Sequence, residues 1–245
     1  IVSIMRQFVE SRDALKKELS KLKKDDTKRK EEIERLLSRK ICFVIDTVAK
    51  MVPRAEKEGE IGKKNFGLLA ALMTQFMRVA TSYIGDSDSN MTLILLNHER
   101  QNINKANLYS PDWVLGPGGE SVNNFDQDVK LRVTTTSIKE DGVEIGKEST
   151  IKVHKCKIGI NGGEAKFFIG NGKGSMPYGF DLAKDVAYEA INRGSSFVRK
   201  EGNTYYLFGE KVATGFESFV QYIRDNERAY DDMYSTLNQE LRKGW

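Results

Sequence analysis

Apolar residues recur at helical spacing along the first thirty-nine residues: Ile1, Ile4, Met5, Phe8 and Val9 fall on one face, and Leu15, Leu19 and Leu22 continue it. The stretch "KKDDTKRK" interrupts that rhythm before Ile33, Leu36 and Leu37 resume it. Residues 1–39 are therefore expected to be helical, as a hairpin or one long helix whose charged face is either simply solvated or an arm for nucleic acid or another partner. Next, "ICFVID" (41–46) is an unbroken β-branched and apolar run, the pattern of a strand buried on both faces. "NFGLLAALMTQFMRVATSYI" (65–84) returns to helical spacing with Gly85 at its stop, and "MTLILLN" (91–97) is a second unbroken apolar run. A helix between two such strands is the βαβ pattern of a parallel sheet.

The pattern then changes character. A polar loop, "HERQNINKANLYSPDWVLGPGGE" (98–120), is long enough to suggest function rather than mere connection. The runs "VKLRVTTTSI", "STIKVHKCKI" and "EAKFFIG" that follow read as an antiparallel meander joined to the sheet. "GNGKGSMPYG" (170–179) is a glycine-rich connector, and 180–245 predicts a helix over 181–193, a short hairpin and terminal helices. The expected organisation is a helical segment with a charged insertion (1–39), an α/β core (40–172) and a small α/β terminal domain (178–245).

Composition narrows the class. The 245 residues are 39% apolar and 30% charged, as in ordinary globular proteins. No apolar run reaches the roughly 18 to 20 residues of a membrane helix. Cys42 and Cys156 are too few for a disulfide framework, so a cytoplasmic setting is the default expectation. The net charge of +4 is uneven: residues 11–40 carry 12 basic and 7 acidic groups, leaving the remainder at −1. Any polyanion must therefore be met by local patches.

Candidate chemistry sits at strand ends, because ligands of open parallel sheets bind at the carboxyl ends of the strands. Two neighbouring runs end in Asp46-Thr47 and Asn97-His98. An apolar strand closing on a carboxylate is the Walker B arrangement, which orders a magnesium shell beside nucleotide phosphates. The phosphate-cradling GxxxxGK[ST] loop occurs nowhere in the chain, so these residues alone are not expected to bind ATP tightly.

The order "VIDTVAKMVPRAEKEGEIGKKNFGLLAALMTQFMR", "LILLNHER", a loop closing on "GPGGE", then "IKVHKCKIG" and a small terminal domain resembles the RecA recombinase family over roughly residues 40–245. His98 stands where the usual residue is glutamine, as in UvsX-like phage recombinases, which implies a host cytoplasm if the protein is phage-encoded. The resemblance implies a partial RecA-like ATPase core, using ATP and Mg2+ shared with a P-loop expected before Ile1. It implies that Asp46 is the magnesium carboxylate, with Thr47 beside it, and that Asn97 and His98 sense the terminal phosphate. Residues 58–65, including Lys63 and Lys64, match a first DNA-binding loop, and Phe66 an apolar DNA contact. Arg78 matches a phosphate-contacting arginine, whereas a second such arginine is replaced by Ala71. In the second loop Arg100 matches a backbone contact, Ile103 a wedge between bases, and Gly118 and Gly119 donors to phosphate. Lys155 and Lys157 match the pair that reaches a neighbour's ATP across a filament interface. Implied partners are single-stranded and double-stranded DNA and further copies of the chain in a helical filament, with no membrane. Residues 11–40 look like an insertion relative to the family.

Each residue type also has a plainer role. Tyr109 and Trp113 could pack the loop on the body, Lys155 and Lys157 are spaced as on any solvated strand face, and Tyr205, Tyr206, Phe208 and Phe216 suit the core of a small domain whose Arg199, Lys200 and Lys211 remain open to DNA. Three functions follow in order of fit. The first is a recombinase segment that forms ATP-dependent filaments on single-stranded DNA. The second is a non-catalytic DNA-binding or filament-modulating protein of the same fold. The third, a hexameric helicase, is disfavoured by "EGEIG" and the small terminal domain.

Overall fold

The computed structural model describes residues 1–23, 25–59, 67–85, 89–102, 113–116, 119 and 121–243. Their contacts divide into two units, 1–127 and 128–245.

In the first unit the opening segment is a hairpin of α1 (Val2–Leu19) and α2 (Thr27–Leu37). Met5 and Ile33 are fully buried, so this segment is anchored rather than solvated along its whole length. The buried Arg12 donates from Nη1 to the Leu37 carbonyl at 2.6 Å, and Asn90 Nδ2 reaches the same oxygen at 3.1 Å. A cation at the carboxyl end of α2 also suits that helix's dipole. After α2 come β1 (Ile41–Ile45), a 3-10 turn (Val48–Lys50), the single-turn α3 (Arg54–Lys57), α4 (Leu68–Ile84) and β2 (Met91–Leu95).

β1 and β2 pair in parallel, from Ile41 opposite Met91 to Ile45 opposite Leu95, as the βαβ pattern predicts. One face of this pair presents Phe43, Met91, Leu93 and Leu95 to Met5, Met73, Met77 and Ala80 of α1 and α4, and Ile45 is buried on the same face. The other face does not match the expectation of burial on both sides. Cys42, Val44, Thr92 and Ile94 are exposed, and Val44 keeps 59% of its surface. The run reads as doubly buried because both faces are apolar, yet the described residues cover only one.

In the second unit β5 (Val129–Glu140), β6 (Val143–Cys156), β7 (Glu164–Asn171) and β8 (Tyr178–Phe180) form an antiparallel sheet in that order. Asp141 and Gly142, at φ 50° and 78°, close the β5–β6 turn, the conformation that an Asp-Gly pair favours in two-residue hairpins. Among the described residues no ladder joins this sheet to β1–β2, so the meander is a sheet of its own rather than an extension of the parallel one. It packs against α5 (Leu182–Asn192), which is followed by the β9–β10–β11 ribbon (Val198–Glu201, Thr204–Leu207, Glu210–Thr214), α6 (Phe216–Asp225) and α7 (Glu227–Lys243).

By contacts the chain divides at 127/128, and the glycine-rich 170–179 stretch that the sequence suggested as a connector lies inside the second unit. That stretch is a tight β7–β8 hairpin: a Cβ on Gly170 would lie 1.9 Å from the Pro177 carbonyl oxygen, so only glycine fits. It is also tied to the terminal helices. Asp181, 1% exposed, caps α5 by accepting from the Lys184 N–H at 3.2 Å and pairs with Arg224 of α6 at 2.5 Å. The same guanidinium donates to the Ser175 carbonyl at 3.0 Å. Tyr205 stacks on Phe219 at 4.9 Å in the core of this unit, which Phe216 also lines. Tyr206 lies under Arg199 rather than in that core, and Phe208 stays half-exposed at its edge, stacked on the buried Phe197 at 5.4 Å.

Candidate nucleic-acid interface

The site in the first unit grows out of the carboxyl ends of β1 and β2. Leu96 N–H donates to the Ile45 carbonyl at 3.0 Å and Val48 N–H to the Leu96 carbonyl at 2.9 Å, so the two strand ends are laced together. The Asp46–Thr47 peptide bond is cis. Thr47 is buried and its hydroxyl oxygen accepts from the Ala49 N–H at 3.1 Å, which caps the 3-10 turn. Asp46 is exposed, and its carboxylate has no hydrogen-bond or ion-pair partner among the described residues. Both oxygens are therefore available to a cation or its water shell.

At the neighbouring strand end Asn97 is the centre of a polar node. Its amide Nδ2 donates to Asn123 Oδ1 at 3.0 Å and lies 3.5 Å from the Gly116 carbonyl, while its Oδ1 accepts from the His98 N–H at 2.9 Å. Asn123 Nδ2 donates to the Gly116 carbonyl at 3.2 Å, and Gly116 N–H donates to the His98 carbonyl at 2.7 Å. A side chain at Gly116 would crowd this approach, since a Cβ there would sit 3.0 Å from both Asn97 Oδ1 and the His98 carbonyl oxygen. From the node, β3 (Glu99–Gln101) and β4 (Trp113–Leu115) pair antiparallel, with Arg100 opposite Val114. The long second loop thus leaves and returns through one two-stranded base fixed to the end of β2.

The remaining candidates spread around this base. His98 and Arg100 are exposed, His98 at the strand end and Arg100 on the ribbon. Arg78 lies on the exposed side of α4, one heptad after the exposed Ala71. Gly119, at φ 76°, approaches Ala70 of α4 so closely that a Cβ would meet Ala70 Cβ at 3.0 Å. Lys63, Lys64, Phe66, Ile103 and Gly118 lie outside the described residues. The first loop is entered through α3, where Arg54 pairs with Glu58 at 2.7 Å.

Lys155 and Lys157 belong to the second unit and are not equivalent. Lys155 is half-buried on β6 opposite Lys130, whereas the strand ends at Cys156 and the exposed Lys157 pairs with Asp128 at 3.0 Å. The simple alternation that would point both ammonium groups from one strand therefore stops one residue short. Asn123 and Gly116 are the functional candidates that sequence reasoning passed over. The only signal was the polar pair Asn123-Asn124 soon after "GPGG", which in a loop looks like ordinary solvation.

The RecA N-terminal domain family matches residues 23–176, more than half of the chain and all of this site. The chain belongs to the RecA family. Among curated RecA proteins it is 30% identical over 203 residues to Protein RecA of Rhodococcus jostii, covering 82% of this chain and 55% of that one. It is 33% identical over 203 residues to Protein RecA of a Nocardioides species, at 82% and 54% coverage. Over 200 residues it is 30% identical to Protein RecA of Ectopseudomonas oleovorans, at 81% and 54%. This RecA-family chain spans about half the length of those relatives. Its mixed α/β architecture is that of a partial RecA-like core with further α/β structure behind it.

Proposed function

We propose that this chain is the DNA-binding part of a RecA-type recombinase, which binds single-stranded DNA, assembles into a nucleoprotein filament with ATP at subunit interfaces, and supports homologous pairing and strand exchange in recombination and repair. The observation that carries this reading is the Asn97 node, which joins the strand end beside Asp46 to the base of the second loop through Gly116 and Asn123. A change at the phosphate end of β2 would move Asn97, and with it the hydrogen bonds that set where the loop's two ends emerge. Nucleotide state and DNA grip would then be linked through one two-stranded ribbon. Arg100 on that ribbon and Arg78 on α4 would hold phosphates without reading bases, which suits a protein that must accept any sequence.

ATP and magnesium fit this chain on one side only. Asp46 would hold the magnesium ion through its water shell, with Thr47 and Asn97 beside it and His98 facing the terminal phosphate. Lys155 and Lys157 would serve a nucleotide bound to a neighbouring copy, where cations stabilise the charge of transferring phosphate. The bound ion would supply that charge neutralisation; the phosphate cradle must come from residues other than these. Place of action would be the cytoplasm, that of the host for a phage protein. Among the described residues no helix is long and apolar enough to cross a membrane.

The test is fluorescence anisotropy of labelled oligo(dT) with the purified chain. Arg100→Ala and Arg78→Ala should each weaken binding about 3- to 10-fold at low salt, and together lower the salt slope by about 1.4, one phosphate contact each on a single strand. Unchanged affinity and slope in the double variant would remove both arginines from the interface. A second reading is a non-catalytic DNA-binding or filament-modulating protein of the same fold, which would use the same loops without hydrolysing ATP. A P-loop strand encoded in frame upstream of Ile1 decides for the recombinase.

A further inference from the structure

The charge of the α1–α2 hairpin is segregated along its length. Residues 16–30, which form its closed end, hold eight basic and three acidic groups, whereas 1–15 and 31–40 are each neutral. The whole excess of +5 is therefore at the tip. One of the three acids, Glu18, is already engaged by Arg29 at 2.8 Å across the two helices. Lys17, Lys21, Lys23 and Lys28 are exposed, and none of them makes an ion pair among the described residues.

Local helix chemistry explains only part of this. Lys16 and Lys17 lie in the last turn of α1, where cations favour the dipole. Lys28, Arg29 and Lys30 occupy the first turn of α2, where no acidic residue is present and the same dipole repels them. Asp26 stands at the N-cap of α2 but makes no side-chain capping bond. Simple solvation of a surface helix would be served better by acids at that end. At the opposite end the hairpin is fixed by Arg12, Asn90 and the buried Ile33, so the cations project from an anchored hairpin rather than a free tail. The matched family region begins at residue 23, so Lys17 and Lys21 lie outside it.

We infer that the tip of the α1–α2 hairpin is an auxiliary docking surface for the phosphate backbone of nucleic acid, separate from the loop interface near Asn97. The inference rests on the DNA-binding reading above, because it assigns these cations to the same polymer. A nucleic acid fits better than an acidic peptide: exposed lysines on both helices and on the turn between them, with no apolar residue buried among 20–31, offer charge without a side-chain pocket.

The experiment is a salt titration of oligo(dT) and duplex binding by the full chain. Replacing Lys17, Lys21, Lys23 and Lys28 by Gln should weaken binding at least about tenfold at low salt and reduce the slope of log affinity against log salt by about 3. Replacing the same four by Arg should preserve both, since phosphate takes either cation. A matched control, Lys139, Lys147, Lys173 and Lys243 to Gln, should change the slope by less than 1. The thermal midpoint of the hairpin Gln variant should change little, because Lys28→Gln relieves a conflict with the α2 dipole while Lys17→Gln gives up a favourable contact with the α1 dipole. Unaltered binding in that variant, loss of binding in the Arg version, or an equal loss in the control overturns the inference. So does loss of poly-glutamate binding with DNA binding intact, which would mark an acidic protein partner. The Arg78 and Arg100 variants separate the two readings. If they weaken binding while the hairpin variant does not, the loop interface stands and the tip falls; the reverse result keeps the tip and removes the loops.

Discussion

Single residues in this protein divide by whether their polar groups are satisfied locally. Asp181 and Asp185 illustrate the contrast one turn apart on α5. Asp181 is buried but answered by Arg224 and the Lys184 N–H. Asp185 is partly buried in a cleft between α5, β7 and α7, where loss of solvent pushes its carboxyl up to about 6; its hydrogen bond from the Phe168 N–H opposes the rise and the nearby Asp181 adds to it. In the folded protein it takes up a proton near pH 6, while in the unfolded chain it stays ionised until about pH 4. Its contribution to stability therefore grows as pH falls from about 6 to 4 and is unfavourable above that window. Asp185→Asn keeps an acceptor for Phe168 and removes the charge. It should stabilise the protein by on the order of 1–2 kcal/mol at pH 7.5, with the gain vanishing by pH 4, as measured by urea unfolding at the two values. A gain that is the same at both would assign the effect to packing instead.

At the scale of elements, the β1–β2 pair shows what an apolar run can and cannot say. Val44 and Ile94 face each other across the ladder on the open side, at 59% and 46% exposure. An apolar strip of this kind on an isolated chain invites association. The purified chain should therefore self-associate with rising concentration, and Val44→Lys with Ile94→Lys should suppress it in sedimentation velocity while shifting stability by less than about 1 kcal/mol. A monomeric wild-type chain at all concentrations would show that the strip is harmless. The β-branched run made the strands legible, and the helical spacing of 68–84 made α4 legible between them. The second loop's base was harder to read. Its ribbon is three residues on each side, and its fixing bonds come from Asn97 and from Asn123, which the sequence marks only by a polar pair that looks like ordinary solvation.

For the whole molecule, the division into two units means that Asp46, Asn97 and His98 belong to one body and Lys155 with Lys157 to the other. The sequence alone bears on activity here: without a phosphate-cradling loop, the chain should show no DNA-stimulated ATP hydrolysis above background in a coupled assay, even at saturating oligo(dT). Turnover abolished by Asp46→Ala would overturn that expectation.

The sequence by itself determined the family, the α/β class, the parallel strand pair with its helix, and the positions of Asp46 and Asn97 at adjacent strand ends. These follow from periodicity and motif order, which are local and survive without knowledge of packing. Only the tertiary structure decided which strand face is covered, that the meander joins the terminal unit, that Lys157 is held by Asp128, and that Asn97 reaches Gly116 and Asn123. Each of those depends on contacts between segments far apart in the chain. A residue's type restricts what it can bond to, but the fold chooses the partner.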